Sequence, residues 1–183
     1  MKRFIVGLMV FALLLMPLNS FALTDNEAYA GNQLRTLGIL KGYPDGTLGL
    51  ANNITRCEVA TLTMRILGYE AVEVLGQGKT FTDLPSTHWA YQYIQNAYKL
   101  SVIHGYPSGE FKPNNNIAYA EVVAIMVNAL GEQTDIVGAW PNNYLDKAKA
   151  LGIIPKDSVV DPTRIVTRGE MSVIVWDTLL IKE

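Results

Sequence analysis

A five-residue string that occurs twice in this chain, 63 positions apart, constrains the fold more than any other feature. The two copies, GYPDG at residues 42–46 and GYPSG at 105–109, lie in similar surroundings. The apolar segment before them returns a third time at 151–154, and the segment after them returns at 166–170. The sequence thus contains three repeats, at residues 25–70, 80–131 and 135–182. Because repeats this short cannot each bury an apolar face, we expect all three to pack into one domain over residues 23–183.

Each repeat has the pattern of a helix, a turn, an extended loop and a second helix, so the predicted fold class is mainly α. The second helices are the clearest, since their apolar residues recur at three- and four-residue spacing. These stripes are Val59, Leu62, Ile66 and Leu67; Val122, Ile125, Met126 and Leu130; and Met171, Ile174, Val175 and Leu179. The first helices are predicted at about 27–37, 89–100 and 143–151, with Leu34 and Leu37 on the apolar face of the first.

The starts of the second helices carry a capping signal. Thr55 with Glu58, and Thr167 with Glu170, have the spacing of a capping box, in which side chain and backbone of the two residues satisfy each other. The second repeat has Ala118 at the cap, so only half of the box can form there. We expect that helix start to be weaker by about 1 kcal/mol.

The first 22 residues predict a Sec-type signal peptide. Lys2 and Arg3 precede an apolar run of about 15 residues that ends near Pro17, which is too short for a membrane anchor of about 20 residues. Without this segment 13 basic side chains face 17 acidic ones. A chain of that charge has no broad attraction for nucleic acid or anionic lipid, so neither is expected as a partner.

The order and spacing of several short motifs resemble S-layer homology repeats. The motifs are Phe81-Thr82-Asp83, Trp89-Ala90, Gly105-Tyr106-Pro107, Phe111-Lys112-Pro113 and a later Thr-Arg-x-Glu. The resemblance implies three helix-loop-helix repeats around a pseudo-threefold axis, with grooves between neighbours. It also implies a secreted protein of the cell wall that binds a secondary cell-wall polysaccharide, often one with pyruvate ketals.

The residues expected to bind that polymer follow from the same resemblance. Arg56 and Arg168 stand at helix starts, where a guanidinium and unpaired N–H groups would suit a ketal carboxylate. The alternative is that each arginine is exposed or pairs with a neighbouring carboxylate. The second repeat has Tyr119 at this position, and therefore we expect at most two competent grooves.

The remaining candidates would contact the sugar itself. Trp89 offers a flat face for sugar C–H groups, although an aromatic at a helix start often packs into the core, and the same alternative holds for Trp140. Asp83 would accept hydrogen bonds from hydroxyls. The repeated turns complete the set with Gly42, Tyr43, Gly105 and Tyr106.

Catalysis, a cofactor and a metal site are not expected. Glu58, Glu121 and Glu170 are accounted for as helix caps, and His88 and His104 lack ligand residues at metal-binding spacing. Cys57 aligns with Ala120 and Gly169, which indicates a small packed residue rather than a reactive thiol. Two other functions stay open: assembly with itself or with another surface protein, and a wall hydrolase, for which no convergent pair of carboxylates is evident.

Overall fold

The computed structural model describes residues 23–70, 72–75 and 78–181, and within them the chain is helical, with isolated bridges but no strand. The predicted signal peptide lies outside the described residues. The helices are α1 (Asp25–Thr36), α2 (Arg56–Ile66), α3 (Tyr91–Lys99), α4 (Tyr119–Ala129), α5 (Asn142–Leu151) and α6 (Arg168–Leu179). The predicted mainly α class is confirmed, and the first helices of the three repeats lie within two residues of their expected bounds.

Three buried residues join the repeats at the centre of the domain. The N–H of Ile54 donates to the carbonyl of Val166 at 3.2 Å, that of Val166 donates to Ile117 at 3.2 Å, and that of Ile117 donates back to Ile54 at 3.1 Å. Each side chain is at most 1% exposed. The three bonds form a closed cycle with one residue from each repeat. The pseudo-threefold axis itself stays a prediction.

The first turn of α2, α4 and α6 is completed by the neighbouring repeat. The first N–H groups of a helix have no partner within it. In α2 these donors, on Arg56 and Cys57, bond to the carbonyls of Asn115 and Pro113, both at 3.0 Å. The first two residues of α4 donate in the same way to Arg164 and Pro162, and those of α6 to Asn52 and Leu50.

Carboxylates at the third helical position complete these starts. The box is whole at Thr167, whose N–H donates to Glu170 at 2.8 Å while its hydroxyl accepts from the Glu170 N–H at 3.1 Å. At Ala118 only the N–H bond to Glu121 is present, at 3.0 Å, as predicted. A further complete box, which the sequence reading missed, joins Thr24 to Glu27 at the start of α1.

The two helices of a repeat do not pack on each other. α2 packs against α3, α4 against α5, and α6 against α1, so each second helix meets the first helix of the next repeat in cyclic order. The contact between α1 and α6 closes the cycle, and there Tyr29 meets Trp176 edge to face at 6.0 Å between ring centroids. Gly169 allows a close approach, because a Cβ there would lie 3.1 Å from Glu27 Cβ.

The predicted apolar stripes form the core except at their C-terminal ends. Val59, Val122 and Met171 are fully buried, whereas Leu130 and Leu179 are more than a third exposed. Leu37 was expected on the buried face of α1 and this was wrong: it follows the last turn of α1 and is 59% exposed. Among the described residues, no helix has the length and apolar character needed to cross a bilayer.

We expect Ile54→Ala to lower the free energy of unfolding by about 3 kcal/mol, because it leaves a cavity beside the central cycle of hydrogen bonds. Ile165→Ala is the control, since that side chain is 42% exposed and its loss should cost under about 1 kcal/mol. Urea unfolding followed by circular dichroism measures both. Equal costs would show that the centre of the domain is not the main site of packing.

Candidate functional site

Arg56 crosses from the first repeat into the second and is held there by three hydrogen bonds. Its Nε donates to the carbonyl of Phe111 at 2.9 Å and its Nη2 to the carbonyl of His104 at 3.1 Å. Its Nη1 donates to Glu121 Oε1 at 2.8 Å. The guanidinium also lies over the Tyr106 ring, 4.7 Å from the centroid. Only 4% of the side chain is exposed, so this arginine is part of the joint between the repeats.

Arg168 repeats this arrangement between the third repeat and the first. Its three donors bond to the carbonyls of Leu48 and Lys41, both at 2.9 Å, and to Glu58 Oε1 at 2.8 Å. The guanidinium lies 4.9 Å from the centroid of the Tyr43 ring. Each partner stands 63 positions before its counterpart at Arg56. Both arginines therefore pair with carboxylates, which was the alternative to ligand binding given above.

Glu58 and Glu121 connect the helix caps to these ion pairs. In each carboxylate Oε2 accepts from the N-cap N–H of its own helix, while Oε1 accepts from the arginine of another repeat. Glu121 Oε1 also accepts from the hydroxyl of Tyr106 at 2.9 Å. Burial raises the pKa of Tyr106, so its hydroxyl keeps the proton that it donates. The sequence reading assigned the capping role alone and missed the second one.

Two equivalent grooves open beside the arginines. The Arg168 groove has a volume of about 200 Å³ and the Arg56 groove one of about 280 Å³. The Arg168 groove is lined by Leu40, Lys41, Gly42, Tyr43, Ile54, Glu58, Thr61, Leu62, Arg65, Trp89 and Arg168. The Arg56 groove is lined by Arg56, Val102, Ile103, His104, Gly105, Tyr106, Glu121, Ala124, Ile125, Asn128, Trp140 and Tyr144. Eight residues of the first lining have their counterparts 63 positions later in the second.

Each groove receives residues from all three repeats. The first repeat contributes most of the Arg168 groove, the second adds Trp89, and the third adds the arginine. Trp140 of the third repeat takes the place of Trp89 in the Arg56 groove. Trp89 is 59% exposed and Trp140 is 54% exposed, so both indoles face the grooves rather than the core.

The glycines of the repeated turn allow the backbone to double back beside each groove. A Cβ on Gly42 would lie 2.6 Å from the carbonyl oxygen of Thr47, and one on Gly105 would lie 2.7 Å from that of Glu110. Both contacts are too close for any side chain. The Tyr43 N–H donates to the same Thr47 oxygen at 2.8 Å, which fixes its ring beneath Arg168.

Asp83, predicted to accept from sugar hydroxyls, is not among the described residues that line either groove. Its Oδ1 and Oδ2 accept from the N–H groups of Phe111 and Lys112, both at 2.7 Å. The carboxylate thereby holds the loop that carries Phe111 under Arg56. A role in fixing the groove wall follows from these contacts.

The prediction of unpaired N–H groups at the starts of α2 and α6, where an anion could bind, is wrong. The N–H groups of Arg56, Cys57, Arg168 and Gly169 already donate to carbonyls of neighbouring repeats. An anionic group in either groove therefore cannot be bound by these four N–H groups.

At the third junction the tyrosine ring and the guanidinium change places between the repeats. Tyr119 stands where the other repeats have arginine, and the guanidinium comes from Arg164, whose Nη1 donates to Glu170 Oε1 at 2.6 Å. That guanidinium lies 4.8 Å from the centroid of the Tyr119 ring. The sequence showed the missing arginine but not its replacement.

Cys57 and the histidines offer no separate reactive site. Cys57 is 2% exposed in the core, and burial raises the pKa of its thiol. His104 lines the Arg56 groove, and His88 lies stacked on Trp89 at 5.9 Å between ring centroids. In the part of the chain that the structure describes, no three His, Cys, Asp or Glu side chains group as metal ligands.

Comparison with known proteins points to the same family as the motifs in the sequence. The family model of the S-layer homology domain matches residues 32–60 and 80–123. The "Middle cell wall protein" of Brevibacillus brevis is 38% identical over 140 residues, which cover 76% of this chain and 13% of that protein. The "Surface layer protein" of Brevibacillus choshinensis is 38% identical over 122 residues, covering 66% of this chain and 11% of that one.

A further relative has a name that states a role. The "Cellulosome-anchoring protein" of Acetivibrio thermocellus is 30% identical over 152 residues, covering 74% of this chain and 34% of that protein. This chain thus spans between about a tenth and a third of the length of these three relatives.

We expect Arg56→Met to lower the free energy of unfolding by about 3 kcal/mol, because it leaves Glu121 and two carbonyls without their buried donor. Arg164→Met removes a pair of the same kind whose arginine is 33% exposed, and that change should cost under about 1 kcal/mol. Chemical unfolding of both variants provides the comparison. Similar costs would mean that Arg56 is no more important to the joint than an exposed ion pair.

Cys57 should react with iodoacetamide at pH 8 at least about tenfold more slowly than free cysteine, since its thiol is buried and its raised pKa disfavours the thiolate. Mass spectrometry of timed samples measures the rate. The same reagent in 8 M urea is the control and should label the chain fully. Rapid labelling of the folded chain would contradict the burial of this residue.

Proposed function

We propose, since this chain belongs to the S-layer homology domain family, that it attaches at the cell surface by binding a secondary cell-wall polysaccharide without a covalent bond. The relatives named for the cell wall, the surface layer and anchoring support this location and role. The predicted signal peptide at residues 1–22 supports export. We also propose that the chain has no catalytic activity of its own.

The observation that carries the proposal is the pair of grooves built to one plan at two junctions. Each combines a buried guanidinium, a tyrosine ring and an exposed indole from another repeat. An indole presents a flat apolar face that suits the C–H face of a sugar ring. Trp89 and Trp140 are more than half exposed, so both faces are accessible to a polymer.

Arg168 fits a ligand that bears a carboxylate. A guanidinium has five N–H donors, and the bonds described above use three of them at Arg168. The remaining donors, together with Lys41 and Arg65 in the same groove, suit a carboxylate such as a pyruvate ketal. The proposed binding set is therefore Arg168, Trp89, Gly42 and Tyr43 in one groove, and Arg56, Trp140, Gly105 and Tyr106 in the other.

The protein without residues 1–22 should be retained by purified cell-wall sacculi and released when the secondary polymer is removed by acid extraction. Trp89→Ala and Trp140→Ala should each weaken retention about threefold to tenfold, as expected for losing about 1 kcal/mol of aromatic contact. These variants are better tests than changes at the arginines, because exposed indoles can be removed without disturbing the core.

Leu180→Ala is the matched control, since Leu180 is 59% exposed and lines neither groove. Retention that survives acid extraction, or that both tryptophan variants leave unchanged, would overturn polysaccharide binding through these grooves. The size of the protein in solution would then test the other function, assembly with itself or with another surface protein.

A further inference from the structure

The two grooves share most of their plan but differ in charge at one corner. In the Arg168 groove this corner is formed by Lys41, Arg65 and Glu70. The Arg168 groove has Lys41 and Arg65 in its lining, and Glu70 bonds to both. The residues 63 positions later are His104, Asn128 and Gln133. Three charged side chains in the first repeat thus correspond to three in the second that bear no fixed charge.

The corner of the Arg168 groove has a net positive charge. Glu70 Oε1 accepts from Lys41 Nζ and from Arg65 Nε, the latter at 3.0 Å, so one carboxylate is shared by two cations. Arg65 Nη1 also donates to the carbonyl of Ile39 at 3.1 Å. Since Arg168 is balanced by Glu58, the excess cation at this corner favours a ligand with a negative charge.

The corner of the Arg56 groove keeps the same backbone contact without the charge. Asn128 Nδ2 donates to the carbonyl of Val102 at 3.1 Å, at the position equivalent to Ile39. Arg56 is balanced by Glu121, so no excess cation remains among these side chains. A carboxylate brought into this groove would lose its hydration without gaining a free counter-charge.

Two buried acceptors at the neutral corner have no hydrogen-bond donor among the described residues. They are Asn128 Oδ1 and Gln133 Oε1, both in side chains that replace charged ones of the first repeat. Leaving a buried acceptor unsatisfied costs about 1–3 kcal/mol. Asn128 lines the Arg56 groove although its Oδ1 atom is buried. A ligand there that turns the amide toward the groove and donates a hydrogen bond to Oδ1 would remove that cost.

We propose that the Arg56 groove binds an uncharged sugar residue that donates an amide N–H or a hydroxyl to Asn128, while the Arg168 groove binds the residue that carries a carboxylate. This division of ligands rests on the proposed function, because it assumes that both grooves bind the same class of polymer. The residues that determine specificity are then Lys41, Arg65 and Glu70 in the first repeat and His104, Asn128 and Gln133 in the second.

Each groove contains one exposed indole, so NMR can report on the two separately. We would record the indole N–H signals of the ¹⁵N-labelled protein without residues 1–22 and assign them with Trp89→Ala and Trp140→Ala. The probes are methyl glycosides of N-acetylglucosamine and N-acetylmannosamine, each with and without a 4,6-pyruvate ketal. The ketal should shift the Trp89 signal at concentrations at least tenfold lower than it shifts the Trp140 signal, and the plain glycosides should show the reverse order.

The second measurement uses variants in which the side chains of one corner replace those at the equivalent positions of the other groove. His104→Lys with Asn128→Arg and Gln133→Glu should give the Arg56 groove at least tenfold tighter binding of the ketal and weaker binding of the plain glycoside. Lys41→His with Arg65→Asn and Glu70→Gln should make the opposite change at Trp89. If these residues had only a structural role, the exchange would weaken the binding of both kinds of probe together. The amide spectrum of each variant checks its fold.

Equal preferences at the two indoles, or preferences that do not follow the exchanged residues, would overturn the division of ligands while leaving polysaccharide binding intact. If neither kind of glycoside shifts either indole, the division is overturned as well. Loss of retention by sacculi is a separate result that would overturn the proposed function itself.

Discussion

The rest of the domain depends on the cycle of three hydrogen bonds among Ile54, Ile117 and Val166. Each residue donates to one neighbouring repeat and accepts from the other, so the cycle requires all three repeats. The donors at the starts of α2, α4 and α6 make the same demand, because their acceptors lie in another repeat. A buried donor without an acceptor is costly, and a single repeat would leave several of them unpaired. The repeats are therefore parts of one cooperative unit, and its grooves can form only where two or three of them meet.

The repeat pattern predicted the helices because apolar periodicity and capping residues are local signals. The grooves were expected only from the resemblance to S-layer homology repeats, which also pointed to Arg56, Trp89 and Tyr106. The sequence did not reveal that each second helix packs on the first helix of the next repeat. Any pairing of amphipathic helices buries the same stripes, and only the cyclic contacts between repeats select the observed one.

The burial of Arg56 and Arg168 could not be predicted from the sequence either. Their partners lie 48 to 127 residues away, so no local pattern identifies them. Comparing the repeats position by position would have found the difference between Arg65 and Asn128, since both stand on the second helix at the same step. Its consequence for charge required the structure, because Glu70 lies beyond the helix and its partner Lys41 is 29 residues away.

Arg56 and Arg168 each join two repeats and form one wall of a groove, and at the third junction these two roles are separate. Tyr119 and Arg164 exchange the ring and the guanidinium between the repeats, yet the cation still lies over a tyrosine and still pairs with the carboxylate that caps the second helix. The arginine that makes this pair is 33% exposed, against 4% for Arg56. The ion pair at this junction lies within the third repeat, whereas the contact of the guanidinium with the Tyr119 ring joins the third repeat to the second. At the other two junctions the donor comes from the helix start and forms one wall of a groove, so the residue that joins the repeats there also lines the binding site that we propose.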